Sequence, residues 1–137
     1  MNWSDHRAAF ERRLSSNYTA TPVQYPGVPY SPGATSWIKM SLLPGAAQRK
    51  TLGPNAMFRE TGLLLIMIFT PVGQGSDAAR DIADLLFPIF REATFSYATS
   101  GVIRCRVPRL DDVGVTPDGT WYQANFTVDY ERDLTLA

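Results

Sequence analysis

An apolar strand, a glycine-rich turn and an amphipathic helix follow one another between Arg59 and Arg91. Residues 63–69 are seven apolar residues without a break. Because a strand with one face in water alternates between apolar and polar residues, this run predicts a strand that is covered on both faces. In a short chain the covers can be helices on both sides, or a second copy of the protein on one side. We treat this strand as the centre of the fold.

Periodic patterns predict the other elements. Phe10 and Leu14 are four residues apart, behind a capping residue at Ser4 or Asp5, and predict a first helix. Strands with alternating faces are predicted at Trp37–Leu43, Val102–Val107 and Trp121–Glu131. The proline-rich segment after the first helix predicts extended chain, with at best an edge strand at Val23–Tyr25.

The helix after the central strand has a cap at Ser76 and an apolar stripe at helical spacing. The stripe comprises Ala79, Ile82, Ala83, Leu86, Ile89 and Phe90. A proline inside a helix removes a hydrogen bond and clashes with the preceding turn, so Pro88 predicts a kink or a break near Leu85–Phe87.

The predicted elements run helix, strand, strand, helix, strand, strand. We therefore predict one α+β domain over residues 1–137, with a mixed or mainly antiparallel sheet of four to five strands and two helices packed on one face. Residues 46–58 are predicted to form a long, flexible loop, since connections in compact domains are usually much shorter. Its Arg49 and Lys50 are candidates for contact with a partner.

Composition narrows the class of protein. Apolar residues make up 45% and charged residues 19% of the 137 positions, which is typical of a folded globular chain. Thirteen basic and thirteen acidic residues cancel, so no overall charge draws the protein to nucleic acid or to an anionic membrane. The single cysteine, the lack of a signal peptide and the shortness of the apolar runs predict a soluble protein made in a reducing cytoplasm, without membrane contact.

One candidate motif for a cofactor lies in the turn Gly73–Ala78, which reads G-x-G-x-x-A between a strand and a helix. A dinucleotide-binding turn has this position. Asp77, however, places a negative charge where a pyrophosphate would bind, and no acidic residue follows at the place of a ribose ligand. We predict no cofactor here and regard Gly73 and Gly75 as residues that let the chain turn.

Other side chains with chemical potential are isolated in the sequence. His6 is the only histidine and lies near the chain terminus, so neither a zinc site nor a catalytic triad is predicted. Asp111 and Asp112 are interpreted as part of an exposed loop. Arg104 and Arg106 are expected to pair with acidic residues across the sheet, at Asp129 and Glu131. The sequence thus predicts no catalytic residue and no metal ligand.

Three segments, taken in order, resemble the tail terminator proteins of bacteriophages with long, non-contractile tails. They are SWIKMSLLPG, RETGLLLIMIFTPVGQGSDAARDIADLLFPIFR and GTWYQANFTVDYERD. The most specific parts are Thr61-Gly62 at the start of the apolar strand, the exit Phe69-Thr70-Pro71-x-Gly73-x-Gly75, and Trp121-Tyr122-Gln123 at the start of the last strand. None of them is a catalytic signature.

The resemblance implies a structural virion protein that forms a homo-oligomer, expected to be a hexameric ring. Such a ring caps the tail tube at the head-proximal end, stops its polymerisation and offers a docking surface to the head–tail connector. Genomic DNA passes through the ring without specific binding, and assembly takes place in the cytoplasm of the host bacterium.

Two alternatives are compatible with the sequence, a head-completion or connector ring protein and a small nucleotide- or phosphate-binding enzyme that uses the Gly73–Ala78 turn. If the central strand has a face in contact with another subunit, Leu64, Ile66 and Ile68 are the candidate interface residues, together with Arg49 and Lys50. The sequence alone does not distinguish that face from the opposite one.

Overall fold

The computed structural model describes residues 2–28, 30–33, 35–73 and 77–136. These residues form helix α1 at Trp3–Asn17 and helix α2 at Asp77–Phe90. They also form seven strands: β1 Val23–Gln24, β2 Trp37–Arg49, β3 Ala56–Pro71, β4 Thr94–Phe95, β5 Val102–Cys105, β6 Arg109–Val115 and β7 Trp121–Leu136.

All seven strands belong to one mixed sheet, in the order β1-β2-β3-β7-β5-β4 with β6 also paired to β7. Strands β1 and β2 are parallel, and the other pairs are antiparallel. Strand β6 pairs with the first half of β7, from Tyr122 to Thr127, while β5 pairs further along it, from Tyr130 to Asp133. The long strands β3 and β7 therefore form the centre of the sheet.

The prediction of a four- to five-strand sheet with two helices packed on one face is wrong, because the described residues form a β-rich sheet of seven strands. Strands β1 and β4 have two residues each, which is too short for a periodic pattern. Strand β6 is exposed at most of its positions, and its apolar residues Leu110, Val113 and Val115 do not alternate, so no sequence pattern reveals an apolar face. Asp111 and Asp112 consequently lie on a strand and not in a loop.

Much of the segment predicted to be a loop at residues 46–58 is strand. Strand β2 continues to Arg49 and β3 begins at Ala56, so residues 50–55 alone connect them. The register shifts between Pro44 and Ala47, where a bulge lets the strand pass through the Pro-Gly pair instead of ending there. A Cβ atom on Gly45 would collide with the carbonyl oxygen of Thr61, so glycine is required there.

The core lies on the face of β3 that carries its even-numbered residues. Leu64, Ile66 and Ile68 have no exposed surface. They share one cluster of buried side chains with residues of β2, β7 and both helices, among them Met40, Phe126, Val128, Phe10, Leu14, Leu86 and Phe90. Full burial of a Leu, Ile or Phe side chain contributes about 1.5–3 kcal/mol each, so this cluster is the main source of stability.

Helix α2 runs through Pro88 and ends at Phe90, so the predicted break near Leu85–Phe87 does not occur. The proline lies in the last turn, where it removes a single hydrogen bond, and the next amide beyond the helix, that of Arg91, still donates to the carbonyl oxygen of Phe87 at 2.8 Å. The predicted cap at Ser76 lies outside the described residues.

Candidate assembly surfaces

The odd-numbered residues of β3 form an apolar stripe on the sheet face opposite the core. Leu63, Leu65, Met67 and Phe69 are all half-buried, although β2 and β7 flank the strand on both sides. In a central strand, that degree of exposure means that neighbouring strands shield the side chains and that no layer formed by the described residues covers them. Leu43 of β2, paired with Leu63, widens the stripe and is 48% exposed.

Polar side chains border this stripe on both sides. Lys39 and Ser41 of β2 lie opposite Met67 and Leu65 of β3. On the other side, Asn125 and Thr127 of β7 lie opposite the same two residues. An apolar centre with a polar rim is the usual composition of a protein–protein contact.

The structure places the three predicted interface residues on the other face of the same strand. Leu64, Ile66 and Ile68 point into the core of the subunit and have no accessible surface, so they are not available to a second subunit in this conformation. If one face of β3 contacts another subunit, it is therefore the face with the odd-numbered residues and not the face with the even-numbered ones.

Aromatic rings close one end of the stripe. The rings of Trp37 and Phe69 stack at 4.4 Å between centroids, and Trp121 meets Trp37 edge-on at 6.2 Å. Tyr30, from the proline-rich segment, packs on the outer side of Trp37 at 5.2 Å. The tyrosine thereby attaches this irregular segment to the sheet.

A ladder of charges closes the other end. Asp133 accepts two hydrogen bonds from Arg59, at 2.7 and 3.1 Å, and one from Arg104 at 2.6 Å. The hydrogen bond from Arg59 is the main reason that the pKa of Asp133 falls to about 2. Arg104 also lies 3.7 Å from Glu131, which confirms that expected pair. Asp129, however, pairs with Arg109 at 2.8 Å and not with Arg106.

Arg49 and Lys50, the two predicted contact residues of the loop, lie at the tip of the β2–β3 hairpin, defined here as residues 49–55. The Arg49 guanidinium donates to the carbonyl oxygens of Thr51 and Gly53, at 2.9 and 2.5 Å. The Thr51 hydroxyl accepts from the amide of Met57 at 2.7 Å. These bonds organise the tip around Leu52, whose side chain is 95% exposed.

A buried polar cluster surrounds His6, and no sequence pattern revealed it. This histidine, expected near a mobile terminus, is 1% exposed on α1, with its Nδ1 atom 3.6 Å from Oε1 of Glu60. Glu60 also accepts from the indole of Trp3 at 2.9 Å and lies 3.2 Å from buried Arg132. Burial and then the charge of Arg132 lower the pKa of His6 to about 4, so it is neutral at pH 7.

The cluster fixes α1 on the sheet and contains none of the usual catalytic pairings. Within the described ranges, no group of three His, Cys, Asp or Glu side chains is placed to hold a metal ion. Cys105 is buried, and burial raises the pKa of its thiol to about 12, which removes it as a nucleophile at neutral pH. Gly75 and Ser76, at the centre of the candidate phosphate-binding turn, lie outside the described residues.

Neither helix in the described part of the chain has the length and hydropathy needed to cross a bilayer. The large features that remain are surfaces: an uncovered apolar stripe and an ordered hairpin tip with an exposed leucine. Exposed apolar surfaces of this kind are typical of proteins that bind other proteins.

Comparison with known proteins identifies the family within this class. The family model for the phage tail terminator protein matches residues 6–130, so the chain belongs to the phage tail terminator family. It is accordingly a structural component of a bacteriophage tail. No curated protein sequence matches it.

One solved structure, whose title states no function, has the same fold. It has a TM-score of 0.74 and 23% sequence identity over 96% of each chain. At that identity the likeness concerns the fold alone.

Proposed function

We propose that the protein forms a hexameric ring that caps the phage tail tube. The ring stops tube polymerisation, sits at the head-proximal end of the tail and presents the surface on which the head–tail connector docks. Genomic DNA passes through it without specific binding. In this role the protein is not an enzyme, and its subunits assemble in the cytoplasm of the bacterial host.

The observation that carries the proposal is the uncovered apolar stripe on β3, formed by Leu63, Leu65, Met67 and Phe69. In a member of the tail terminator family, the occupant we assign to it is the next copy of the chain. A closed ring uses heterologous contacts, in which two different patches of each subunit meet. The stripe supplies one of these patches. Its polar borders can stay in contact with water, so the neighbouring copy needs to cover only the apolar centre.

The proposal is tested by the mass and shape of the assembled protein. Without tubes, size-exclusion chromatography with light scattering should give six times the subunit mass of 15.2 kDa. A protein that is monomeric alone should instead elute together with added purified tail tubes. Negative-stain microscopy should show rings, and in the presence of tubes the rings should sit at tube ends. A chain that stays monomeric with and without tubes contradicts the proposal.

A head-completion or connector protein would also form rings, so the binding partner decides between these roles. Rings that bind tube ends and not isolated portal complexes support a tail terminator. Rings that bind the portal and ignore tubes overturn that assignment in favour of a connector.

A further inference from the structure

We infer that the hairpin tip of one copy docks beside helix α2 of the next copy. In this contact Leu52 enters a hollow between α2 and β6, and Lys50 faces the acidic residues Asp81 and Asp84. The inference rests on the proposed ring, for which it names two surfaces that meet.

The tip has the properties of an insertion element. Leu52 is 95% exposed, yet the turn that carries it is held by the Arg49 guanidinium and by the Thr51 hydroxyl. The Lys50 amide also donates to the carbonyl oxygen of Met57 at 2.7 Å, which extends the hairpin to the tip. An organised turn loses less conformational entropy when its leucine is buried, so it binds more favourably than a disordered loop.

The receiving surface is a hollow of about 190 Å³ next to α2. Its apolar walls are formed by Ala83, Phe87, Pro108, Leu110 and Phe126. The exposed Asp84 also lines it, as does Arg109, whose charge is paired with Asp129 at 2.8 Å. Apolar cavities of about 150 Å³ take up benzene, so a hollow of this size can receive a leucine side chain.

The charges of the two surfaces are complementary. Residues 43–58, which form the hairpin arm, contain Arg49 and Lys50 and no acidic residue. The outer side of α2 presents Asp77, Asp81 and Asp84, and its one cation, Arg80, is held by Asp112 at 2.5 Å. Within the described residues no ion pair forms on Asp81 or Asp84, nor on Lys50, whose ammonium group contacts the amide oxygen of Gln48. Opposite charges at a rim favour encounter and fix orientation.

The two surfaces do not meet within one subunit. The tip adjoins Ala56, which pairs with Leu136 at the end of β7. Helix α2 is bound through Arg80 to Asp112, which pairs with Ala124. At a rise of about 3.3 Å per residue, these two points are separated by about 40 Å of chain along β7. Leu52 is 95% exposed in the subunit, so the proposed contact is one between copies, and it joins different patches, as a ring requires.

A larger cleft of about 510 Å³ near the base of the hairpin arm is a weaker candidate for Leu52. His6 and Glu60 line this cleft, and both are engaged in the buried cluster that holds α1. An inserted leucine would bring no polar partner to these side chains, whereas the hollow at α2 combines apolar walls with acidic residues that lack an ion-pair partner among the described residues.

The test compares assembly of purified full-length variants, with and without tail tubes. Leu52→Asp, Lys50→Glu and Asp84→Lys should each raise the subunit concentration at half-assembly about tenfold or more, since one lost contact of about 1.4 kcal/mol is a factor of ten. Circular dichroism and thermal unfolding should stay as in the wild type, because all three positions are exposed. The double variant Lys50→Glu/Asp84→Lys should regain most of the lost assembly, since it exchanges the two charges.

Arg12→Glu and Ser15→Lys are matched controls, since both positions are exposed on α1 and lie outside the two surfaces and the β3 stripe. They should assemble as the wild type does. If the wild type forms rings and the tip and α2 variants form them equally well, the inference is overturned and the proposed function stands. A double variant no better than the single ones also overturns the pairing of Lys50 with Asp84. A wild type that is monomeric with and without tubes overturns both.

Discussion

The hydroxyl oxygen of Tyr130 occupies the space that a side chain at Gly62 would need. A Cβ atom on Gly62 would lie 2.7 Å from that oxygen and 2.6 Å from the carbonyl oxygen of Leu43. Gly62 and Tyr130 are direct partners across β3 and β7, and the tyrosine is buried. Glycine is thus required at position 62 for the Tyr130 side chain to cross β3. This packing requirement explains the glycine in the Thr61-Gly62 pair.

Replacing Gly62 with alanine should destabilise the fold by about 1–3 kcal/mol, the usual cost of forcing an extra methyl group into a packed site. The backbone carbonyl of Leu43 cannot move away without disturbing the β2–β3 pairing. Urea unfolding monitored by circular dichroism measures the change. Gly33→Ala is the control, because a Cβ atom there meets nothing within 4 Å. Equal stability of both variants would refute this packing argument.

The strand at the centre of the fold was predictable from sequence, but the choice between its two faces was not. An unbroken apolar run has no alternation, so Ile66 and Met67 look equivalent in the sequence. Only the placement of the helices distinguishes them, and that is a property of the whole fold. The edge strands β1, β4 and β6 were missed or predicted only weakly for a related reason: β1 and β4 are too short to show a pattern, and β6 has no alternating apolar face.

The buried cluster of His6 had no local signal either. Its partners Glu60 and Arg132 come from β3 and β7, far away in the chain. A buried polar side chain depends on partners that tertiary structure brings together, and spacing along the sequence does not reveal them. For the same reason the sequence gives no sign that Asp133, the centre of the charge ladder, is a partner of Arg104.

The two faces of β3 should respond differently to a charge. Ile66→Asp places a carboxylate among fully buried apolar side chains and should cost more than about 4 kcal/mol, enough to unfold the subunit. Met67→Asp alters the uncovered stripe and should change subunit stability by about 1 kcal/mol or less. Circular dichroism with thermal unfolding measures both effects.

The same two variants also separate folding from assembly. Met67→Asp should give folded subunits that no longer form rings in light scattering, because the carboxylate would be buried at the subunit contact. Folded Met67→Asp protein that still forms rings would exclude the stripe from the contact between subunits. If both variants unfold, the odd-numbered face is internal to the subunit after all.

His6 should make the subunit less stable in mild acid. Its pKa is about 4 in the folded chain and 6.5 in a solvated one, so the unfolded chain binds more protons between these values. The stabilising contribution is complete above pH 6.5 and is lost as the pH falls toward 4. Between pH 7 and pH 5 the free energy of unfolding should drop by about 2 kcal/mol from this residue alone.

Urea unfolding of the wild type and of His6→Gln at both pH values measures this effect. The variant lacks a titrating group at position 6, so its stability should change much less over this range, whatever its absolute value. The charged groups that face His6, Glu60 and Arg132, are present in both proteins. Identical pH dependence of the two proteins would contradict a buried, neutral histidine.

Asp133 should contribute stability that is lost only in stronger acid, through its bonds to Arg59 and Arg104. Its pKa is about 2 in the folded chain against an ordinary value of 3.8, so the contribution is present above pH 3.8 and is lost as the pH falls toward 2. Because both arginines are partly exposed, we expect Asp133→Asn to cost only about 1 kcal/mol at pH 7. Asp111→Asn, at an exposed position, should cost less. Chemical unfolding between pH 7 and pH 2 measures the free energy of unfolding of both proteins, and the difference between wild type and Asp133→Asn should shrink below about pH 4. A difference that persists at pH 2 would assign the effect to packing.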